Sequence, residues 1–131
     1  LEEEGSIVIY YSYETTQMNK FKADFPAYAA RIDAVNARMI DFCKLAKETI
    51  YHPDLRGSHS IKDVLPALVP AYRTAYKDLP INNGRLAAVK FEAMKVADPQ
   101  QAQVLRQNLL NYCKLDTLAL VELHQAMLRM L

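Results

Sequence analysis

The chain has 131 residues, and its 16 Lys and Arg nearly balance its 15 Asp and Glu, which leaves a net charge of +1. This balance excludes a strongly basic protein that coats nucleic acid, and it excludes an acidic tail. Hydrophobic residues make up 51% of the chain, with only three Gly and six Pro. Such a composition is typical of a folded segment, and the length suits one domain over residues 1–131.

Two features of the sequence bear on location. The longest purely apolar or aromatic run is Ile7–Tyr11, far shorter than the roughly 18–20 residues that a spanning helix needs. The first residues, Leu1–Gly5, are acidic where a secretory signal carries positive charge. We therefore expect no membrane segment and a cytoplasmic protein.

The N-terminal part of the chain predicts one strand followed by helices. Ser6–Tyr13 is a continuous run of β-branched and aromatic residues, which predicts a buried strand. A short helix is expected from Glu14 to about Ala23, and Pro26 lies in the first turn of a second helix. The second helix carries an apolar stripe with spacings of three and four residues, at Tyr28, Ile32, Val35, Met39, Phe42 and Ala46. Asp41 is the one residue that could break it.

The remainder predicts only helices and turns. Residues 52–59 form a loop, and Ser60–Asp63 fits a capping box at the start of a helix that Pro66 and Pro70 keep short. After a turn at Pro80–Gly84, a helix is expected from Arg85 to about Val96. The stretch Gln100–Leu131 has no Gly or Pro and predicts one long helix, or two with a bend.

The predicted fold is thus mainly α with one strand near the N-terminus. One buried strand cannot form a sheet, and an unpaired strand exposes a row of backbone donors and acceptors. Either the chain is part of a larger α/β domain whose other strands precede it, or two copies of the strand Ser6–Tyr13 meet in a homodimer.

The last helix places an acid on its apolar face. The apolar seam runs through Ala102, Leu105, Leu109, Cys113, Leu120, Leu123, Met127 and Met130, and Asp116 occupies the position between Cys113 and Leu120. Tyr112 lies one turn earlier on the same face. A carboxylate in such a place has to be paired, neutralised or bound to a metal.

Tyr112–Thr117 resembles the Tyr-x-x-x-Asp third motif of the DEDD-type 3′-5′ exonucleases, which have an RNase H-like fold. More closely, and over nearly all of its length, the chain is similar to a bacterial family of unknown function that resembles these exonucleases. The similar segments are Tyr11–Glu14, Asp41–Phe42, Tyr51–Pro53, Gly57–Lys62, Val64–Pro66, Gly84 and Leu110–Thr117.

The resemblance implies a second motif as well, but not a first. Tyr10–Glu14 matches the short form of the second motif, with Glu14 at the acidic position and Tyr11 where Asn is usual. The first motif, an Asp-x-Glu on the opening strand, does not occur in this chain. The resemblance therefore implies the C-terminal part of a larger nuclease-like domain, a fragment of an α/β RNase H-like exonuclease fold.

By the same resemblance, Asp116 and Glu14 would ligate Mg²⁺ or Mn²⁺, and Tyr112 would orient the attacking water. These three residues form the expected catalytic set. Hydrolysis with two ions needs more carboxylates than two, so we expect the chain alone to bind metal poorly and not to cleave. The full-length protein is expected to act on DNA or RNA.

Three further residues are candidates for nucleic-acid binding. Lys62 lies at a helix start, where an anion meets exposed backbone N–H groups, and Arg85 follows the turn at Asn83–Gly84. Tyr11 occupies the motif position whose usual Asn contacts ribose or backbone.

The rival hypothesis is a non-catalytic helical interaction module that self-associates through its strand edge. Under it, Glu14 is an acid favoured by the helix dipole in a first turn, and Tyr112 is a core aromatic. Asp116 would then pair with an Arg or cap a neighbouring helix.

Overall fold

The computed structural model describes residues 4–130. Residues 1–3 of the acidic N-terminal segment and residue 131 of the expected final helix lie outside the described residues. The described chain is mainly helical, with a short two-stranded parallel sheet near the N-terminus. Within it, none of the helices has the length and apolar character needed to cross a membrane.

The chain divides into two compact units, Leu1–Ile61 and Lys62–Leu131, called the first and second units below. One domain over residues 1–131 therefore stays a prediction.

The first unit alternates short strands with helices. Its regular elements are β1 (Ile7–Ile9), α1 (Tyr13–Asp24), α2 (Ala29–Asn36), β2 (Met39–Asp41) and α3 (Phe42–Thr49). A 3-10 turn at Pro26–Tyr28 leads into α2, and another at Pro53–Leu55 lies within the predicted loop. Helix α1 packs against α2. The buried side chains of this unit come mainly from α3 and the segment after it, with Ile9 and Tyr10 from the end of β1 and the turn that follows.

The prediction of one strand was wrong, because the chain supplies a partner for it. β1 pairs in parallel with β2, with Ile7 opposite Met39 and Ile9 opposite Asp41. The stripe that predicted one continuous helix is therefore split: α2 ends at Asn36, and β2 precedes α3. Residues of β2 fit the helical spacing of the stripe, so local periodicity gave no sign of the pairing.

This pairing bears on the expected homodimer through Ser6–Tyr13, which stays a prediction because each strand of a two-stranded sheet keeps an unpaired outer edge. That expectation rested on a strand without a partner, and β1 has one within the chain. The observed strand β1 is also shorter than the predicted one, because it ends at Ile9 and α1 begins at Tyr13.

The second unit is built from three helices and a 3-10 turn. These are α4 (Ile61–Leu68), whose first residue closes the first unit, the turn Pro70–Tyr72, α5 (Gly84–Val96) and α6 (Pro99–Leu128). Asn83 caps α5 by accepting from Leu86 N at 2.9 Å, and Asp98 caps α6 by accepting from Gln101 N at 2.9 Å. Helix α5 packs along α6.

Two expectations for the second unit are confirmed. Helix α4 is short, as Pro66 and Pro70 predict, although Pro66 lies inside it. The final helix is one unbroken element of 30 residues rather than two.

Candidate functional site

The carboxyl ends of the two parallel strands are joined by one side chain. Asp41, the last residue of β2, accepts from Tyr11 N at 3.1 Å through Oδ1. The same oxygen accepts from Cys43 N at 2.8 Å and Lys44 N at 3.4 Å, which caps α3. Asp41 therefore holds backbone groups, in agreement with its omission from the catalytic set.

Tyr11 lies at the turn between β1 and α1 in an uncommon conformation. Its φ is +66°, in the left-handed region that costs a non-glycine residue about 1–3 kcal/mol. The ring meets Tyr10 edge-on, with centroids 5.1 Å apart, and the hydroxyl donates to His59 O at 3.3 Å. Tyr11 is 45% exposed, and Lys47 Nζ lies over its ring, 6.0 Å from the centroid.

Tyr10, the buried neighbour of Tyr11, contacts the same loop residue. Its hydroxyl donates to His59 O at 2.7 Å, and the Cys43 thiol lies 3.6 Å from the same oxygen. Burial raises the pKa of Tyr10 well above its ordinary value, and the neighbouring Cys43 adds to the rise. The loop that contains His59 is thus anchored to β1 and α3 by neutral donors.

Glu14 is an exposed residue in the first turn of α1. It belongs to the first unit, together with Tyr11, whereas Tyr112 and Asp116 belong to the second. The convergence of Glu14 and Asp116 on a metal therefore stays a prediction.

The buried face of α6 follows the predicted seam in part: Leu123 is buried as predicted, but Tyr112 is buried in place of its neighbour Cys113. Tyr112, Ala119, Leu123 and Ala126 are buried, whereas Cys113 is exposed. The large ring of Tyr112 takes the place that we assigned to Cys113, because an aromatic side chain buries more apolar area than a thiol. Asp116 lies on this face, half-buried, between Tyr112 and Ala119.

The Asp116 carboxylate is held by a phenol. Tyr76, which is 7% exposed, donates from its hydroxyl to Asp116 Oδ1 at 2.9 Å. Within residues 4–130 no Lys or Arg forms an ion pair with Asp116. The expectation of an Arg partner is therefore replaced by a neutral donor from the segment between Pro70 and Pro80.

Both tyrosines near this carboxylate hold their protons more tightly than usual. Burial raises the pKa of Tyr76 far above its ordinary value, and the charge of Asp116 and the hydrogen bond to it add to the rise. Burial raises the pKa of Tyr112 as well, followed by the hydrogen bond to Asp116 and its charge. At neutral pH the carboxylate thus faces two protonated phenols.

Sequence reasoning missed Tyr76. It lies 40 residues before Asp116 in a segment with no helical or strand periodicity. The only signal was indirect, since a half-buried carboxylate requires a donor from some other element.

The structure brings Lys62 to the turn that precedes Arg85. Lys62 Nζ donates to Asn82 O at 2.5 Å, and Asn83 then caps α5. The Tyr112 hydroxyl lies beside the same helix start, 3.9 Å from the position that a Cβ on Gly84 would take. Lys62, Arg85 and Tyr112 are therefore all tied to the beginning of α5, and Arg85 is exposed.

Metal ligands are sparse in the described residues. Within residues 4–130 no group of three or more His, Cys, Asp or Glu side chains is placed to hold a metal ion. Asp116 has the hard oxygen donors that Mg²⁺ and Mn²⁺ prefer. Further oxygen ligands would have to come from elsewhere.

Comparison with known proteins covers the first unit. Residues 1–60 match the model of a family described as a domain of unknown function (DUF2779). The matched segment contains Tyr11 and Glu14 but not Tyr112 or Asp116. No curated protein and no solved structure matches the chain. The predicted similarity to a family of unknown function is supported over these residues, and the RNase H-like resemblance stays a prediction.

Proposed function

We propose that this chain is the C-terminal part of a metal-dependent 3′-5′ exonuclease that hydrolyses phosphodiester bonds of DNA or RNA. One observation carries the proposal. Asp116 is half-buried on the inner face of α6, and its partner is the neutral Tyr76 rather than a cation. Its negative charge is oriented but not cancelled, and a divalent ion would complete such a site.

The first unit supports the proposal by analogy of fold. Open α/β sheets bind ligands at the carboxyl ends of their strands. In this chain that edge carries the constrained Tyr11, and Glu14 follows in the first turn of α1.

Each residue has a distinct part in the proposed reaction. Asp116 and Glu14 would hold Mg²⁺ or Mn²⁺, and the Asp-x-Glu motif that this chain lacks would supply the remaining carboxylates. Bound ions of this kind activate the attacking water and stabilise the leaving oxygen. Tyr112 orients the water by hydrogen bonding; its raised pKa makes it a poor general base at neutral pH. Tyr76 fixes the carboxylate of Asp116.

An exonuclease assay on the full-length protein with Mn²⁺ tests the proposal. Asp116→Asn keeps the shape of the side chain but removes its charge. We expect activity to fall by about a hundredfold or more, because losing even a group that only supports a metal ligand typically costs about 10–100-fold. Asp78→Asn is the matched control, because Asp78 is an exposed acid of the same unit, and it should keep full activity. Undiminished cleavage by the Asp116→Asn variant, or no cleavage by the wild type, would overturn the proposal.

The interaction module remains the second candidate, and one observation favours it. The hydrogen bond from Tyr76 satisfies one carboxylate oxygen of Asp116 without any metal. In the interaction module the acid therefore has only a structural role. In that case Mn²⁺ leaves the unfolding temperature of the full-length protein unchanged. Under the nuclease proposal Mn²⁺ raises it, because a ligand that binds only the folded state stabilises that state.

A further inference from the structure

An open pocket of about 240 Å³ lies in the second unit, lined by residues of α4 and of the segment 72–82. Three of its lining side chains are cationic, Lys62, Arg73 and Lys77, and one, Asp63, is acidic. The excess of positive charge in a concave wall favours an anion.

Lys62 is positioned before any ligand arrives. Its ammonium donates to Asn82 O and lies 5.2 Å from the centroid of the Tyr76 ring. Both contacts hold the charge at the pocket wall, and a cation placed over an aromatic face is itself stabilised. Binding an anion therefore costs less side-chain entropy than it would with a lysine that moves freely in solvent.

The size and the aromatic lining narrow the class of anion. The pocket is smaller than the roughly 300–1,000 Å³ of sites that enclose drug-sized ligands, so it suits one phosphate with its sugar rather than a whole cofactor. Tyr72 and Tyr76 also line it. Aromatic rings beside a basic groove are the usual means of holding a single strand of nucleic acid.

Tyr76 connects this pocket to the candidate site. Its ring lines the pocket, and its hydroxyl donates to Asp116. We infer that the pocket binds a backbone phosphate of single-stranded nucleic acid, with Arg73 and Lys77 as the main phosphate contacts. The inference rests on the proposed function, because it states where the substrate backbone is held relative to Asp116.

Fluorescence anisotropy with a short labelled single-stranded oligonucleotide tests this inference. The full-length protein is used with a chelator and without divalent ions, so that no cleavage occurs. The variant Arg73→Gln/Lys77→Gln removes two charges from the pocket. The matched control Arg106→Gln/Lys114→Gln removes the same two residue types from exposed positions of α6.

We expect the pocket variant to bind the oligonucleotide about tenfold more weakly and the control to change affinity less than about twofold. The dependence of affinity on salt should also become shallower in the pocket variant alone, since fewer counterions are released. Equal losses in both variants, or no binding by the wild type, would overturn the inference.

Competition with inorganic phosphate and with a nucleoside monophosphate distinguishes a site for nucleic-acid phosphate from a site for free phosphate. Under the inference the monophosphate displaces the oligonucleotide at lower concentration than inorganic phosphate, because it also fills the sugar-sized space beside the tyrosines. Displacement by inorganic phosphate at equal or lower concentration would contradict a nucleic-acid site and indicate a free-phosphate site.

The same measurements separate this inference from the nuclease proposal. Oligonucleotide binding that depends on Arg73 and Lys77, without Mn²⁺-dependent cleavage, refutes only the nuclease proposal. Cleavage that depends on Asp116, with binding indifferent to Arg73 and Lys77, refutes only the pocket.

Discussion

The hydroxyl of Tyr76, beside a second phenol from Tyr112, accounts for how Asp116 is tolerated on the inner face of α6. Tyr76 supplies a donor at 2.9 Å, and the hydrogen bond keeps the carboxylate oriented without neutralising it. An acid satisfied in this way differs from one locked to an Arg, whose charge would already be balanced. The proposed metal-binding role of Asp116 depends on this difference.

Replacing Tyr76 with Phe should lower the free energy of unfolding by about 1–2 kcal/mol, because the half-buried carboxylate loses its donor. Urea unfolding measures the change. In an Asp116→Leu background the same replacement should cost much less, since neither member of the pair is then left without its partner. Equal costs in both backgrounds would show that the hydrogen bond is not what stabilises Tyr76.

The raised pKa values of Tyr76 and Tyr112 predict a loss of stability in alkali. The unfolded chain releases these protons near the ordinary pKa of 10.0, whereas the folded protein keeps them to higher pH. Above about pH 10 the folded state therefore binds more protons, and the free energy of unfolding falls as the pH rises. The stabilisation is fully present below that pH.

Tyrosinate absorbance, with urea unfolding at each pH, measures this effect. We expect part of the tyrosine absorbance to appear only above the main titration, and the decline in stability to be shallower in Tyr76→Phe. A single titration of all tyrosines near the ordinary pKa would be inconsistent with the buried phenols.

At the scale of elements, the sheet corner depends on Asp41. It caps α3 and binds the backbone of the turn after β1, so one side chain joins two strands and a helix. This role is structural and explains an acid at the end of β2 without any chemistry.

Asp41→Ala should cost about 1–2 kcal/mol of unfolding free energy, as the loss of a good helix cap does. Asp33→Ala is the matched control in the same unit. It removes an exposed ion pair with Lys22, and such pairs contribute about 0–1 kcal/mol. Thermal or urea unfolding compares the two variants, and a smaller loss for Asp41→Ala than for the control would contradict the capping role.

The helices of the second unit were predictable because residues at their ends mark where they begin. Asn83 and Gly84 begin α5, and Pro99 lies in the first turn of α6 behind the Asp98 cap. The face that α6 buries was predicted less well. Tyr112 and Cys113 are adjacent in sequence, and only packing in the folded protein decides that Tyr112 is the buried one of the two.

Two features were beyond sequence reasoning for one physical reason. β2 exists because β1 lies beside it, and Tyr76 serves Asp116 across 40 residues of chain. Neither contact leaves a local pattern. The acid at position 116 was visible, because a charge interrupting an apolar stripe is a local anomaly; the phenol that satisfies it was not.

For the whole molecule, the proposal assigns a metal-binding role to two acids, Glu14 in the first unit and Asp116 in the second. Hydrolysis with two ions needs more carboxylates than these two. The family match to residues 1–60 covers the unit with Glu14 but not the helix with Asp116, so the role of Asp116 has to be tested directly.

The central claim is that Asp116 ligates a divalent ion in the full-length protein. Electron paramagnetic resonance of bound Mn²⁺ measures this without relying on activity. The account predicts that wild type and Asp78→Asn bind Mn²⁺ alike and that Asp116→Asn binds it at least about tenfold more weakly. Identical Mn²⁺ binding by all three proteins would contradict it.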